Sequence, residues 1–197
     1  MKTLVLIGTS GSGKTVLKNS LLNDYSKVFN NVEQVSTRAP RGPDDTSYDF
    51  IDVEKYKEIE DTLTCKTDFN GNFYGSKMKK FQKRKINILV ADKTGFTDFI
   101  TSEFASTQDV IVLTLDRYDY QGIADIRDDR DTNFLMSEHA TVIQIAQERN
   151  TYYHDVTTNG FINPEVVYDL CQNVLNGVTS AEVKVSKYRP EGDNSAF

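Results

Sequence analysis

The chain has 197 residues, 38% of them apolar and 26% charged, with 29 acidic side chains against 23 basic ones and a formal net charge of −6. That length suits one ordinary domain with a core that needs no disulfide staple, and the acid excess speaks against a general binder of nucleic acid or anionic membrane. No apolar run nears the roughly 20 residues of a membrane span, and the opening run is too short for a signal peptide, so a cytoplasmic protein is expected.

Thr3–Ile7 is a continuous apolar run, as a strand buried on both faces should be. Gly8–Gly13 follows as a glycine-rich turn, and Lys14–Tyr25 carries Val16, Leu17, Leu21 and Leu22 at helical spacing. Asn31–Val35 suggests a second short strand. Thr37–Asp49 is a loop, with Pro40, Gly42, Pro43 and three aspartates. Val53–Asp61 suggests a polar helix, Leu63–Phe69 a strand, Asn70-Gly71-Asn72 a hairpin turn and Met78–Arg84 a basic helix. Ile86–Ala91 and Asp109–Leu115 are two further buried strands. Helices are expected over Tyr120–Asp125 and Ser137–Asn150, a strand over His154–Thr158 and a closing helix over Pro164–Leu175. Residues 181–197 form a polar tail. The alternation is a βαβ pattern with a parallel sheet, interrupted by an insertion at 35–83. Cys65 and Cys171 lie far apart, as do His139 and His154, so reduced thiols are expected and a zinc site is not.

Gly8-Thr9-Ser10-Gly11-Ser12-Gly13-Lys14-Thr15 matches G-x-x-x-x-G-K-[ST] at every fixed position, between a strand and a helix. Glycines let successive backbone N–H groups form an anion nest, and the helix beginning at Lys14 adds the positive end of its dipole. The Lys14 ammonium can reach the outer phosphates of a nucleoside triphosphate, and the Thr15 hydroxyl can ligate Mg²⁺. A second anion site follows. Arg38 and Arg41 flank Pro40, and two guanidinium forks can grip one dianionic phosphate. The phenols of Tyr48 and Tyr74 can donate to a phosphate oxygen without adding charge.

Ser36-Thr37-Arg38-Ala39-Pro40-Arg41, then Tyr48-Asp49-Phe50, then Phe69-Asn70-Gly71-Asn72-Phe73-Tyr74-Gly75-Ser76, all behind the glycine loop, resemble the guanylate kinase family from Lys2 to about Gly95. The resemblance implies a P-loop three-layer α/β/α fold with a central parallel sheet. It divides residues 1–180 into a core (1–34 and 84–180), a monophosphate-binding insertion (35–83) and a lid at about 117–137. It implies an ATP- and Mg²⁺-dependent kinase acting on a GMP- or dGMP-like acceptor. Small-molecule nucleotides are then the partners, with no nucleic acid and no membrane, on a monomer or homodimer. Gly8, Ser10, Gly11, Ser12, Gly13, Lys14 and Thr15 would hold ATP. Arg38, Arg41, Tyr48 and Tyr74 would hold the acceptor phosphate. Lys14, Arg38, Arg127 and Arg130 would carry catalysis, and Asp92 would serve the acceptor nucleoside or, through water, the metal.

The chain departs from that family at the base. The family's guanine-reading glutamate falls at Cys65, and its base-proximal serine falls at Gln34; Ser76 and Asp92 complete the base-proximal set. A thiol accepts hydrogen bonds weakly where a carboxylate accepts them well. Two readings stay open: a pocket that still takes guanine, or one of altered specificity that takes another base. Arg127 and Arg130 stand among aspartates, as lid residues or as a salt-bridged loop. A non-catalytic nucleotide-binding module is the rival to the kinase.

Overall fold

The computed structural model describes residues 1–8, 12–117, 152–158 and 162–176, with five positions between 141 and 148. Strand β1 (Lys2–Gly8) is central to a five-stranded sheet and is followed by helix α1 (Lys14–Asp24). The chain then forms β2 (Phe29–Asn31), β3 (Gln34–Ser36), β4 (Asp49–Phe50), α2 (Val53–Ile59), β5 (Leu63–Phe69) and β6 (Asn72–Lys77). It returns through β7 (Ile86–Ala91), α3 (Lys93–Thr101), α4 (Glu103–Ser106), β8 (Asp109–Arg117), β9 (Tyr152–Thr158) and α5 (Pro164–Leu175). The main sheet has the order β2-β7-β1-β8-β9, with every pair parallel. This is the parallel α/β architecture expected from the apolar runs.

Alternation along each strand sends side chains to opposite faces. Leu4 and Leu6 of β1, with Ile111, Leu113 and Leu115 of β8, pack under α1 and α5 through Leu17, Leu21, Leu170 and Val174. Val5 and Ile7, with Val110 and Val112, pack under α3 and α4 through Phe96, Phe99 and Ala105. Covered on both sides, the strands have no polar face to show, hence the unbroken apolar runs. Asn163 caps α5 by accepting from Glu165 N (2.9 Å), and Pro164 opens the first turn. That helix has the expected bounds.

A second sheet, in the order β4-β3-β6-β5, stands beside the first. Its hairpin turns at Asn70 (φ 52°) and Gly71 (φ 72°), the left-handed pair that a type I′ turn requires. Its own core is small: Val35, Tyr56 and Leu63, edged by Ile51, Ile59 and Phe73. Lys77 pairs with Glu33 and, at 2.6 Å, with Asp49, while Lys80 holds the other oxygen of Glu33 at 2.7 Å.

Two expectations are corrected. Residues 31–35 are not one strand. β2 belongs to the main sheet and β3 to the second, because the chain crosses between them at Val32–Glu33. The basic helix over 78–84 is a single 3₁₀ turn at Met78–Lys80. Phe81 instead inserts its ring against Phe99 and Phe104, at centroid distances of 6.4 and 4.9 Å. The fully buried Asn87 amide accepts from Gln82 N (2.7 Å) and donates to Gln82 O (3.1 Å) and Lys2 O (3.0 Å). These tertiary bonds satisfy the main chain that a helix would have used. The helix over 120–125, most of that over 137–150 and the tail lie outside the described residues.

Candidate active site

The parallel strands bring the glycine loop and Asp92 to one end of the main sheet. Ile7 of β1 is paired with Ala91 of β7, and Gly8 with Leu115 of β8. Asp92, one residue past β7, is therefore beside the glycine loop, at the carboxyl edge where open α/β sheets bind ligands.

On the donor side, Gly8 has φ +152°, and a Cβ there would meet Leu115 O at 2.2 Å and Ser12 Oγ at 2.8 Å. No other residue fits between the strand end and the returning loop. Gly13 (φ 92°) starts α1 without a side-chain cap, and α1 has no acidic residue in its first turn. Its leading N–H groups and dipole are thereby left to attract an anion. Lys14 Nζ donates to Gly8 O at 2.7 Å and approaches Ser12 Oγ at 3.5 Å, so the ammonium lies across the loop. Ser12 is buried and Thr15 is exposed on the first turn of α1. Thr9, Ser10 and Gly11 are outside the described residues.

In the second sheet's loop, the Arg38 guanidinium is held on several sides. Nη2 donates to Asp45 Oδ2 (2.9 Å) and Ser47 Oγ (3.1 Å), and Nη1 donates to Ala39 O (2.8 Å). The rings of Tyr48 and Phe50 lie 5.3 and 4.9 Å from Arg38 Cζ, within cation–π range. Tyr48 and Tyr74 meet edge to face, with centroids 5.5 Å apart. Burial, then Tyr74, raises the Tyr48 phenol pKa; Arg38 and Arg41 oppose that rise and Asp92 adds to it. All five groups thus share one neighbourhood, and Tyr48 stays a protonated donor at neutral pH. The Arg41 side chain is exposed, while its backbone N–H donates to Asp45 Oδ2 at 3.0 Å. A cavity of about 540 Å³ adjoins Arg38, lined by Thr37, Pro40, Phe50 and Lys55 among others. Its wall includes none of Lys14, Tyr74 or Asp92, so it is not the cleft between the two halves.

The residues that the resemblance sets near the base also converge. Gln34 Nε2 donates to Ser76 Oγ and to Val90 O, both at 3.1 Å, tying the second sheet to β7. Cys65 lies at a bulge in β5 with φ +57°, near Ser76 and packed against the first turn of α3. Burial, then the carboxylates of Asp92 and Asp98, push its thiol well above the usual range, so it is a neutral group. Asp92 caps α3 by accepting from Gly95 N (2.7 Å), and its second oxygen accepts from Thr67 Oγ1 (3.1 Å). Asp98 of α3 accepts from Lys66 N (2.9 Å), fastening the bulge.

Sequence reasoning missed Asp45. Its carboxylate accepts from Arg38, from the backbone of Arg41 and from both the backbone and the hydroxyl of Ser47. These bonds, with the Arg41 backbone first, hold it far below the ordinary carboxylate range. The visible signal was the Asp-x-Ser spacing of an Asx turn, which accounts for the Ser47 bonds alone. Arg127 and Arg130 lie outside the described residues.

A main sheet of this order, with a glycine loop joining its central strand to an uncapped helix, defines a P-loop α/β protein. The family is equally plain: residues 1–108, more than half of the chain, match the guanylate kinase family model, and the protein belongs to that family. It is 30% identical over 120 residues to the guanylate kinase of Trichormus variabilis, covering 57% of this chain and 59% of that protein. It is 30% identical over 87 residues to the guanylate kinase of Schizosaccharomyces pombe, covering 42% and 43%. The matches thus span about half the length of these curated relatives. The crystal structure of guanylate kinase from Anaplasma phagocytophilum shares the fold, with a TM-score of 0.59 at 20% identity, over 90% of this chain and 85% of that one. Among the described residues, no helix is long and apolar enough to cross a membrane.

Proposed function

We propose that the protein is a nucleoside monophosphate kinase that moves the γ-phosphoryl group of ATP to a GMP-like acceptor, with a weakened reading of the base. The observation that carries this is Asp92, which strand register sets beside the lysine-spanned glycine loop and whose charge acts on Tyr48 of the Arg38–Tyr48–Tyr74 cluster. Transfer between two anions needs alignment and charge neutralisation more than covalent help. The loop N–H groups and Lys14 would hold the donor phosphates. Arg38, Arg41 and the two phenols would hold the acceptor phosphate, which is already anionic and needs no general base. Mg²⁺ fits the oxygen donors present, the Thr15 hydroxyl with Asp92 behind a water, and would supply charge neutralisation between the phosphates. Arg127, Arg130 and the 117–137 lid would close over the pair and exclude water. The insertion at 35–83 would bring the acceptor to the core.

The base is read less strictly because its acceptors are few. Both Gln34 amide hydrogens go to protein oxygens, which leaves the base only a neutral amide oxygen there, each Asp92 oxygen already accepts one bond, and Cys65 is uncharged. Guanine's exocyclic amino group then has no carboxylate to itself, and such charged partners are worth roughly 1–3 kcal/mol each. A coupled ADP-release assay with ATP, Mg²⁺ and a panel of ribo- and deoxyribonucleoside monophosphates tests both parts. Turnover of GMP is expected, with inosine monophosphate, which lacks that amino group, within about tenfold in kcat/KM. Failure of every monophosphate to release ADP overturns the kinase reading. Strict preference for GMP over inosine monophosphate overturns the weakened base reading.

A further inference from the structure

Asp45 is an acid set against the guanidinium of Arg38 and the backbone of Arg41, two residues that the proposed reaction turns toward a phosphate. Its Oδ2 accepts from Arg38 Nη2 at 2.9 Å and from Arg41 N at 3.0 Å; its Oδ1 accepts from Ser47 N at 3.1 Å and from the Ser47 hydroxyl. The Arg38 and Asp45 side chains are 12% and 11% exposed. The neighbouring Asp44 is exposed and makes none of these bonds. Three of the four bonds to Asp45 come from Arg41 and Ser47, so the carboxylate stays put whatever Arg38 does. Arg38, in turn, is bounded by Asp45 and Ser47, by Ala39 O and by the rings of Tyr48 and Phe50. A free arginine loses substantial rotamer entropy when it closes on a phosphate. One already clasped has lost it on folding, which lowers the entropic cost of binding.

We infer that Asp45 is a positioning residue for the acceptor: it fixes the Arg38 guanidinium and the Arg41 backbone in one orientation, leaving the unbonded N–H groups of Arg38 for the phosphate. The inference rests on the kinase reading for its ligand, not for its geometry. Asp45 is not a placeholder that the phosphate displaces, since its loop bonds hold it independently of the ion pair.

The test compares D45A, D45N and D44A with the wild-type chain in steady-state kinetics, with ATP and the acceptor varied in turn. D45A is expected to raise the acceptor KM about tenfold or more, with kcat and the ATP KM within about twofold. D45N, which keeps one acceptor oxygen, falls between. D44A removes the same charge from the same loop and matches wild type, so a general field effect is excluded. A lowered acceptor KM in D45A would mean a displaced placeholder and overturns the inference. An unchanged KM, or equal shifts in both KM values and kcat, overturns it as well. If D45A does not fold, D45N against D44A decides the same question. In parallel, NMR of the arginine side chains reads the clasp without turnover. Restricted rotation of the Arg38 guanidinium in wild type and D44A, lost in D45A, supports it, and restriction unaltered in D45A overturns it. Should the wild-type chain phosphorylate no acceptor, the kinase reading fails and this measurement still decides the clasp.

Discussion

The two halves of the site are built from different materials. The half proposed for the phosphate donor is backbone: a strand end, a loop and an uncapped helix, seated on a sheet buried on both faces. The half proposed for the acceptor is side chains: Arg38, Tyr48 and Tyr74, kept in place by Asp45, Ser47 and the rings of a small sheet with few core residues. A site made of N–H groups tolerates most substitutions and fails at few positions, here Gly8 and Lys14. A site made of side chains depends on every partner, so recognition can drift there while the chemistry stays. Cys65 and Gln34, the two departures from the family pattern at the base, are both on the side-chain half.

Three experiments would break or sharpen that contrast. The largest effect is expected from Lys14→Ala, which removes the one indispensable side chain of the backbone half: kcat should fall by about 10³-fold with the fold intact by circular dichroism. Next comes stability. Phe96→Ala in the fully buried main core should cost roughly 3–5 kcal/mol in urea titration. Tyr56→Phe in the second sheet, which deletes only the bond from its hydroxyl to Tyr74 O (3.0 Å), should cost about 1 kcal/mol. Equal losses would remove the distinction between a dominant core and a light annex. The smallest effect concerns acid. Asp45 and Glu33 both have folded pKa values lowered, by the Arg41 backbone and by Lys77 respectively. Their contribution is complete above the ordinary carboxylate value near 4 and is lost as pH falls through the depressed values. Both groups belong to the second sheet and its loop. Amide exchange, corrected for its intrinsic pH dependence, should therefore lose protection around residues 36–50 below about pH 4, before β1 and β8 do. Simultaneous loss in both regions contradicts the prediction.

What the sequence displayed follows the same division. Thr3–Ile7, Ile86–Ala91 and Asp109–Leu115 announce the main sheet because double burial demands unbroken apolar runs. Gly8 to Lys14 announces the donor loop because its constraints are local. Arg38, Arg41, Tyr48 and Tyr74 were visible as residue types, yet the anchor that holds Arg38 was not. Asp45 reads as one more loop aspartate until tertiary structure sets a guanidinium beside it. The basic segment after Met78 misleads for a related reason. Its lysines and arginine favour a helix, but the buried amide of Asn87 and the ring of Phe81 decide the backbone from a distance.

The crossing of the chain from one sheet to the other at Val32–Glu33 leaves the main sheet with an outer strand of only three residues, Phe29–Asn31. An incoming strand from another molecule would find few open N–H and C=O groups there before the rail ends. Short edges of this kind resist edge-to-edge stacking. The same detour that carries the chain off to build the acceptor half therefore also guards concentrated solutions of the protein against fibrous association on that flank.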